Sequence, residues 1–171
     1  MEKIIPSCFR IAFTGPECSG KTTLALWIAQ HLNLPFIAEY SRVFLSNKST
    51  YSPQDVQHIG KEQFRLNQEK NQAVCDTEMT VVRIWENVKY GKISAEIEAL
   101  SALESIDILF LCKPDIPWVY DPLRENPNDR EMLYELYYHD LCARNRNFTV
   151  IEGELSQRKS RIIAEIEAFI L

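Results

Sequence analysis

A three-layer α/β fold, with a five-stranded, mostly parallel sheet flanked by helices, follows from three observations on this 171-residue chain. Short apolar runs alternate with longer stretches of helical period, the pattern of repeated β-α units and not of a bundle or a sandwich. The runs are rich in residues that suit strands buried on both faces. A glycine-bounded turn, Gly15 to Gly20, links the first such run to the first helical stretch. At this length one domain is expected over residues 1–171, with a core that needs no disulfide or metal support.

Taken in order, the apolar runs place strands at Phe9 to Thr14, Pro35 to Ala38, Gln72 to Cys75, Ile106 to Cys112 and Phe148 to Ile151. Helical period places helices at Lys21 to Leu32, Pro53 to Lys70, Met79 to Lys89, Ser94 to Leu103, Asp129 to Arg144 and Leu155 to Leu171. Ser52-Pro53-Gln54-Asp55 is a helix start, because serine caps orphan amides and proline suits the first helical position. Trp27 and Trp85 fall within helical period and read as core. The stretch from Lys113 to Arg130 carries four prolines and no periodicity. An irregular segment of that length in a compact domain reads as a functional loop, here a lid.

Composition narrows the partners. The net charge of −5 mixes both signs without a basic block, which argues against a nucleic-acid backbone. No apolar run approaches the roughly 20 residues that span a bilayer, so no membrane partner is expected. Five cysteines at irregular spacing form neither a disulfide framework nor a metal pair, and read as reduced thiols of a cytoplasmic protein. His31, His58 and His139 share no metal-ligand spacing.

The turn after the first strand reads Gly15-Pro16-Glu17-Cys18-Ser19-Gly20-Lys21-Thr22, a full P-loop between a strand and a helix. Gly15 and Gly20 let backbone amides turn inward, so that Glu17, Cys18, Ser19, Gly20 and Thr23 form a cradle for triphosphate oxygens with the helix N-terminus. Lys21 is placed to reach the β- and γ-phosphates of ATP, and Thr22 to ligate Mg²⁺. A plain strand-to-helix turn would explain the glycines and leave the lysine and threonine unexplained. The expected fold is therefore that of the P-loop NTPases.

Ligands of open parallel sheets lie beyond the carboxyl ends of the strands. Asp76 follows the third strand, where phosphoryl transfer needs an acid beside the metal; capping of the next helix is the alternative. Glu39 ends the second strand as a candidate to take the proton of an attacking hydroxyl, with Arg42 holding a substrate oxygen. Asp115 and Trp118 follow the fourth strand, the indole either stacking on a flat ligand or anchoring the loop. Arg124 and Arg130 are candidates to swing over the triphosphate.

With Phe13 to Thr22, Ala38-Glu39-Tyr40-Ser41-Arg42, Cys75-Asp76-Thr77-Glu78 and Asp115-Ile116-Pro117-Trp118-Val119 on the page, the chain resembles the ribosylnicotinamide kinase domain of the NadR family through almost its whole length. The resemblance implies ATP-dependent phosphorylation of the 5′-hydroxyl of a small-molecule nucleoside, nicotinamide riboside. It makes Trp118 and Tyr40 candidates to contact the flat nicotinamide, and Asp115 a candidate to fix the nucleoside. Cys18 stands where the family has serine, and Pro122 where it has glycine. The adenylyltransferase HxGH motif and DNA-binding segment of larger members are absent from this sequence. Synthesis of NAD from the mononucleotide and DNA binding are therefore not expected of it.

Three other classes fit parts of this pattern. A kinase of another nucleoside or nucleotide would share the P-loop, the acid and the lid. Cys112-Lys113-Pro114-Asp115 has the spacing of a guanine-reading NKxD motif, but Cys112 replaces its asparagine and Asp76-Thr77-Glu78-Met79 lacks the switch glycine. A sensor that holds ATP without turning it over would keep every candidate residue.

Overall fold

The computed structural model describes residues 5–121 and 128–170. Five strands form one wholly parallel sheet in the order β2-β3-β1-β4-β5. They are β1 (Phe9–Thr14), β2 (Phe36–Ile37), β3 (Gln72–Cys75), β4 (Ile108–Cys112) and β5 (Thr149–Ile151). The helices are α1 (Lys21–Leu32), α2 (Tyr40–Leu45), α3 (Pro53–Glu69), α4 (Met79–Tyr90), α5 (Ala95–Leu103), α6 (Arg130–Ala143) and α7 (Leu155–Ile170).

Alternation along the strands divides the core between the two faces. Phe9, Ile11 and Phe13 of β1, with Val74, Phe110 and Ile151, meet Leu24 and Ile28 of α1 and Ile162 and Ile166 of α7. Ala12, Ala73, Cys75, Leu109 and Leu111 point the other way, onto Ile84 of α4 and Leu133, Tyr137 and Leu141 of α6. A third cluster, Val56, Met79, Val82 and Ile97, joins α3, α4 and α5. Gly60 permits this approach, since a Cβ there would stand 2.5 Å from Ile97 Cδ1.

The five expected strands and six expected helices are present, most with ends shifted by one or two residues. β2 shrinks to Phe36–Ile37, and one helix is additional: α2, six residues starting at the Tyr40 side of Glu39. The start of α3 is a capping box, with Ser52 Oγ accepting from Asp55 N at 3.2 Å and Asp55 Oδ2 accepting from Ser52 N at 2.8 Å.

Beneath the loop that follows β3 lies a buried polar layer. Gln63 donates to Ala38 O at 3.3 Å and to Asn67 Oδ1 at 2.9 Å, and accepts from Tyr40 N at 2.7 Å. Asn67 donates to Thr77 O and to Glu104 Oε1, and Met79 N donates to Glu104 Oε2. Those two N–H bonds favour an ionised Glu104. Burial and the nearby Glu78 charge outweigh them and push its carboxyl up to about 8.

A raised carboxyl makes the folded state bind a proton that the unfolded chain has released. Stability is therefore expected to fall as pH rises from about 4.5 towards 8, by at most about 1.4 kcal/mol per pH unit. Urea denaturation at several pH values should show this slope, and Glu104→Gln should flatten it.

Candidate functional site

The P-loop is shaped by two glycines in backbone conformations that other residues rarely adopt. Gly15 has φ +125°, and a Cβ there would stand 2.5 Å from Cys112 O. Gly20, at φ +88°, caps α1 with no side chain, which opens the helix N-terminus to phosphate. Lys21 Nζ lies across the loop, donating to Gly15 O at 2.8 Å and Pro16 O at 2.7 Å.

Thr22 and Asp76 meet although 54 residues apart, Thr22 Oγ1 donating to Asp76 Oδ2 at 2.8 Å. Asp76 is 1% exposed, and its Oδ1 has no hydrogen-bond partner among the described residues. Burial raises the Asp76 carboxyl above its ordinary range, with the Thr22 hydrogen bond and the Lys21 charge opposing. A buried carboxylate oxygen left unbonded beside a threonine hydroxyl suits a hard cation with oxygen ligands. No group of three His, Cys, Asp or Glu able to hold a metal occurs among the described residues. A cation at Thr22 and Asp76 therefore needs phosphate oxygens and water to complete its shell. Asp76→Asn keeps an oxygen for Thr22 but removes the charge. It is expected to raise the Mg²⁺ concentration for half-maximal activity about ten-fold or more, as read by metal titration.

A cleft of about 510 Å³ opens from the P-loop. Gly15, Glu17, Cys18, Ser19, Gly20, Lys21, Thr22 and Thr23 line one end, with Glu39 and Arg42 beside them. Glu39 Oε1 accepts from Ser41 Oγ at 2.6 Å, and Oε2 lies 3.7 Å from Arg42 Nε. Arg42 Nη1 also bonds Asp121 Oδ2 at 3.0 Å, and these partners raise the already high guanidinium pKa despite burial. The lining also includes Lys48, Tyr51, Trp85, Lys89 and Tyr137, none of them singled out by sequence motif. Trp85, half-buried, packs against the cluster of α3, α4 and α5 and also lines the cleft, and its Nε1 donates to Tyr51 Oη at 3.0 Å.

Three candidates stand elsewhere. Tyr40 turns its ring to Phe44 and His58, at 6.0 Å from each, and does not line the cleft. Asp115 ion-pairs with Arg158 Nη2 and accepts from Gly153 N at 2.7 Å, so it braces loops and does not line the cleft. Trp118 lies with its ring centroid 5.6 Å from the Arg130 guanidinium, outside the cleft lining. Arg130 Nη1 donates to Cys18 O at 3.2 Å and Ile116 O at 2.9 Å, tying the P-loop to the following loop. Cys18 adds to that tie, accepting from Val119 N at 3.3 Å and donating to Pro117 O at 3.4 Å. Arg124 lies outside the described residues.

Sequence reading missed Arg158, which is 2% exposed. It donates to Ser19 O at 2.8 Å, Gly153 O at 2.7 Å and Lys113 O at 3.0 Å, besides Asp115. It thereby joins the P-loop to the loops after β4 and β5.

A parallel sheet, a P-loop at the end of its central strand and an acid on the adjacent strand define an α/β P-loop protein with the fold of small-molecule kinases. Residues 10–158 match the AAA domain family, and the chain belongs to it. No curated protein matches the chain significantly. Among solved structures, the NadR protein in complex with NR superposes with TM-score 0.77 at 19% identity, over 96% of this chain and 52% of that one. Thymidylate kinase from Ehrlichia chaffeensis gives 0.69 at 17% identity, over 94% and 100%. Deoxyadenosine kinase from M. mycoides with bound dCTP gives 0.66 at 13%, over 94% and 100%. At these identities the likeness is one of fold, and the chain spans about half the length of the NadR structures. Among the described residues, no helix is long and apolar enough to cross a membrane.

Proposed function

We propose that residues 1–171 act as one P-loop kinase-like domain, which transfers the γ-phosphoryl group of ATP to a hydroxyl of a small nucleoside. The observation that carries this is the Thr22–Asp76 contact beside the P-loop, opening directly on a cleft large enough for an acceptor. The NadR-like fold and the sequence resemblance make nicotinamide riboside the first acceptor to test, with nicotinamide mononucleotide as product. We place the protein in the cytoplasm, acting on small molecules rather than on nucleic acid or membrane.

In this reading the P-loop amides and α1 N-terminus hold the phosphates, and Lys21 leaves Gly15 O and Pro16 O for the β- and γ-phosphate oxygens. Thr22 and Asp76 would hold Mg²⁺, which supplies charge neutralisation on the phosphates when bound. Glu39, kept in place by Ser41 and Arg42, takes the proton of the acceptor hydroxyl as its oxygen bonds to phosphorus and ADP departs. Arg42 is placed to steady the transferring group.

The test is a coupled ADP-release assay with ATP and Mg²⁺ against a panel of nucleosides, with mass spectrometry of the products. Nicotinamide mononucleotide above the signals from uridine, cytidine and thymidine is the expected result. Tight ATP binding without phosphorylation of any nucleoside would replace the kinase by a nucleotide sensor.

A further inference from the structure

Glu39 and Asp76, the proposed proton acceptor and the metal acid, follow neighbouring strands, yet the sheet ends before it fixes the loops that carry them. β2 is only two residues long, and its pairing with β3 ends where Asp76 N donates to Ile37 O at 2.9 Å. Past that bond the chain runs from Glu39 into α2, and from Asp76 through Thr77 and Glu78 into α4.

Two amide side chains of α3 take over there. Gln63 and Asn67 are four residues apart on one face of the helix, and are 1% and 0% exposed. Gln63 holds the chain on both sides of Glu39: its Oε1 accepts from Tyr40 N at 2.7 Å, and its Nε2 donates to Ala38 O at 3.3 Å. The same Nε2 donates to Asn67 Oδ1 at 2.9 Å, and Asn67 Nδ2 donates at 2.9 Å to the carbonyl of Thr77, the residue after Asp76. These partners fix the sense of both amides. A turned Gln63 would set its NH₂ against Tyr40 N–H, and a turned Asn67 would set its carbonyl against Thr77 O. The result is one line of aligned dipoles from the Glu39 loop to the Asp76 loop, each bond polarising the next.

Buried amides destabilise a core unless their polar atoms are bonded. Here the bonds go to backbone beside the two carboxylates and not to the carboxylates themselves, and neither amide lines the cleft. We infer that Gln63 and Asn67 are positioning residues, which hold the Glu39 and Asp76 loops at one fixed separation so that proton acceptor and metal acid serve the same phosphoryl group. This rests on the kinase reading and adds two residues to its machinery.

Gln63→Met and Asn67→Leu break the line while nearly keeping its volume. Each is expected to lower kcat about 10- to 100-fold, the range for deleting outer partners of metal-site ligands, with KM for ATP within about two-fold of wild type. The double variant should fall no more than about two-fold below the lower single, because either change already severs the line. Val56→Ala, in the apolar cluster of the same helix, is the control for lost stability, and its kcat should hold. Additive losses in the double variant, or a comparable fall in Val56→Ala, overturn the inference. If wild type phosphorylates no acceptor, the kinase reading fails, and amide hydrogen exchange of the metal-free protein decides the bridge separately. The Tyr40 amide lies in the first turn of α2, where amides are ordinarily open to solvent, and is expected to exchange more slowly than the rest of that turn. In Asn67→Leu, a change at a residue bonded to Gln63 and not to Tyr40, it should speed up about five-fold or more, the effect of losing one hydrogen bond. A Tyr40 amide as fast as its neighbours in wild type, or one unmoved by Asn67→Leu, overturns the inference. The wild-type comparison needs no variant, and decides alone if the substitutions unfold the chain.

Discussion

Lys21→Ala is expected to lower kcat by about 10²- to 10³-fold, the range for deleting one preorganised charge on a transition-state oxygen. Lys21 Nζ now spans the mouth of the P-loop on two backbone carbonyls, Gly15 O and Pro16 O. Those bonds stabilise the resting loop modestly, by about 1 kcal/mol together, because Lys21 lines an open cleft and is only half-buried. For a chain of this size that is a fall in Tm of only about 2–4 °C. The effect on rate is much larger because Lys21 is the cation held within the P-loop itself, whereas Arg42, among the described residues, is bonded to Asp121 and Glu39 beside it. Lys21→Arg should recover little, since a planar guanidinium cannot act as a point charge in a loop closed around an amine. ADP-release kinetics with thermal melts distinguish the two effects. Undiminished turnover in Lys21→Ala would contradict the phosphoryl-transfer reading.

The part of this site that was legible in sequence is the part built from consecutive residues. Gly15 to Thr22 reads as a phosphate cradle because one local turn contains it. Asp76 reads as an acid at a strand end because β3 is a plain apolar run. The pairing of β1 with β3 then brings Asp76 to Thr22, as parallel neighbours at the strand ends must be. The part of the cleft lined by Tyr51 and Trp85 was not legible, because distant segments meet there: Trp85 bonds Tyr51 across 34 residues. Trp85 has the helical period of a core residue, and period alone does not reveal that one edge of the indole faces a cleft. The additional helix α2 has six residues, including the β-branched Val43 and aromatic Phe44, too short and too weakly helical to announce itself. Its buried contacts, and the Gln63 bond to Tyr40 N, hold it in place instead. Asp115 carries the opposite lesson. An aspartate beyond a strand end has the position of a ligand contact, and its partner Arg158 lies 43 residues away on α7.

Arg158→Met is expected to cost about 3 kcal/mol of stability, within the range for breaking a buried ion pair, and to weaken ATP binding about ten-fold. Methionine fills much of the space that the arginine stem occupies, so the loss is chiefly one of hydrogen bonds. Four acceptors lose the Arg158 donors at once: Ser19 O, Gly153 O, Lys113 O and the Asp115 carboxylate, which keeps only the Gly153 N bond among those described. The carbonyl of Ser19 belongs to the phosphate cradle. Freeing it lets the loop sample arrangements in which its amides no longer converge, and ATP must then bear the cost of reordering them. Arg158→Lys retains the charge for Asp115 but too few donors, in the wrong geometry, for the three carbonyls, so it should fall between the two. Denaturant titration gives the stability and calorimetry with ATP and Mg²⁺ gives the affinity. A lowered stability with unchanged ATP affinity would make Arg158 a scaffold residue only. A loss of affinity in Arg158→Lys out of proportion to its stability loss would mark it as a residue that positions the P-loop.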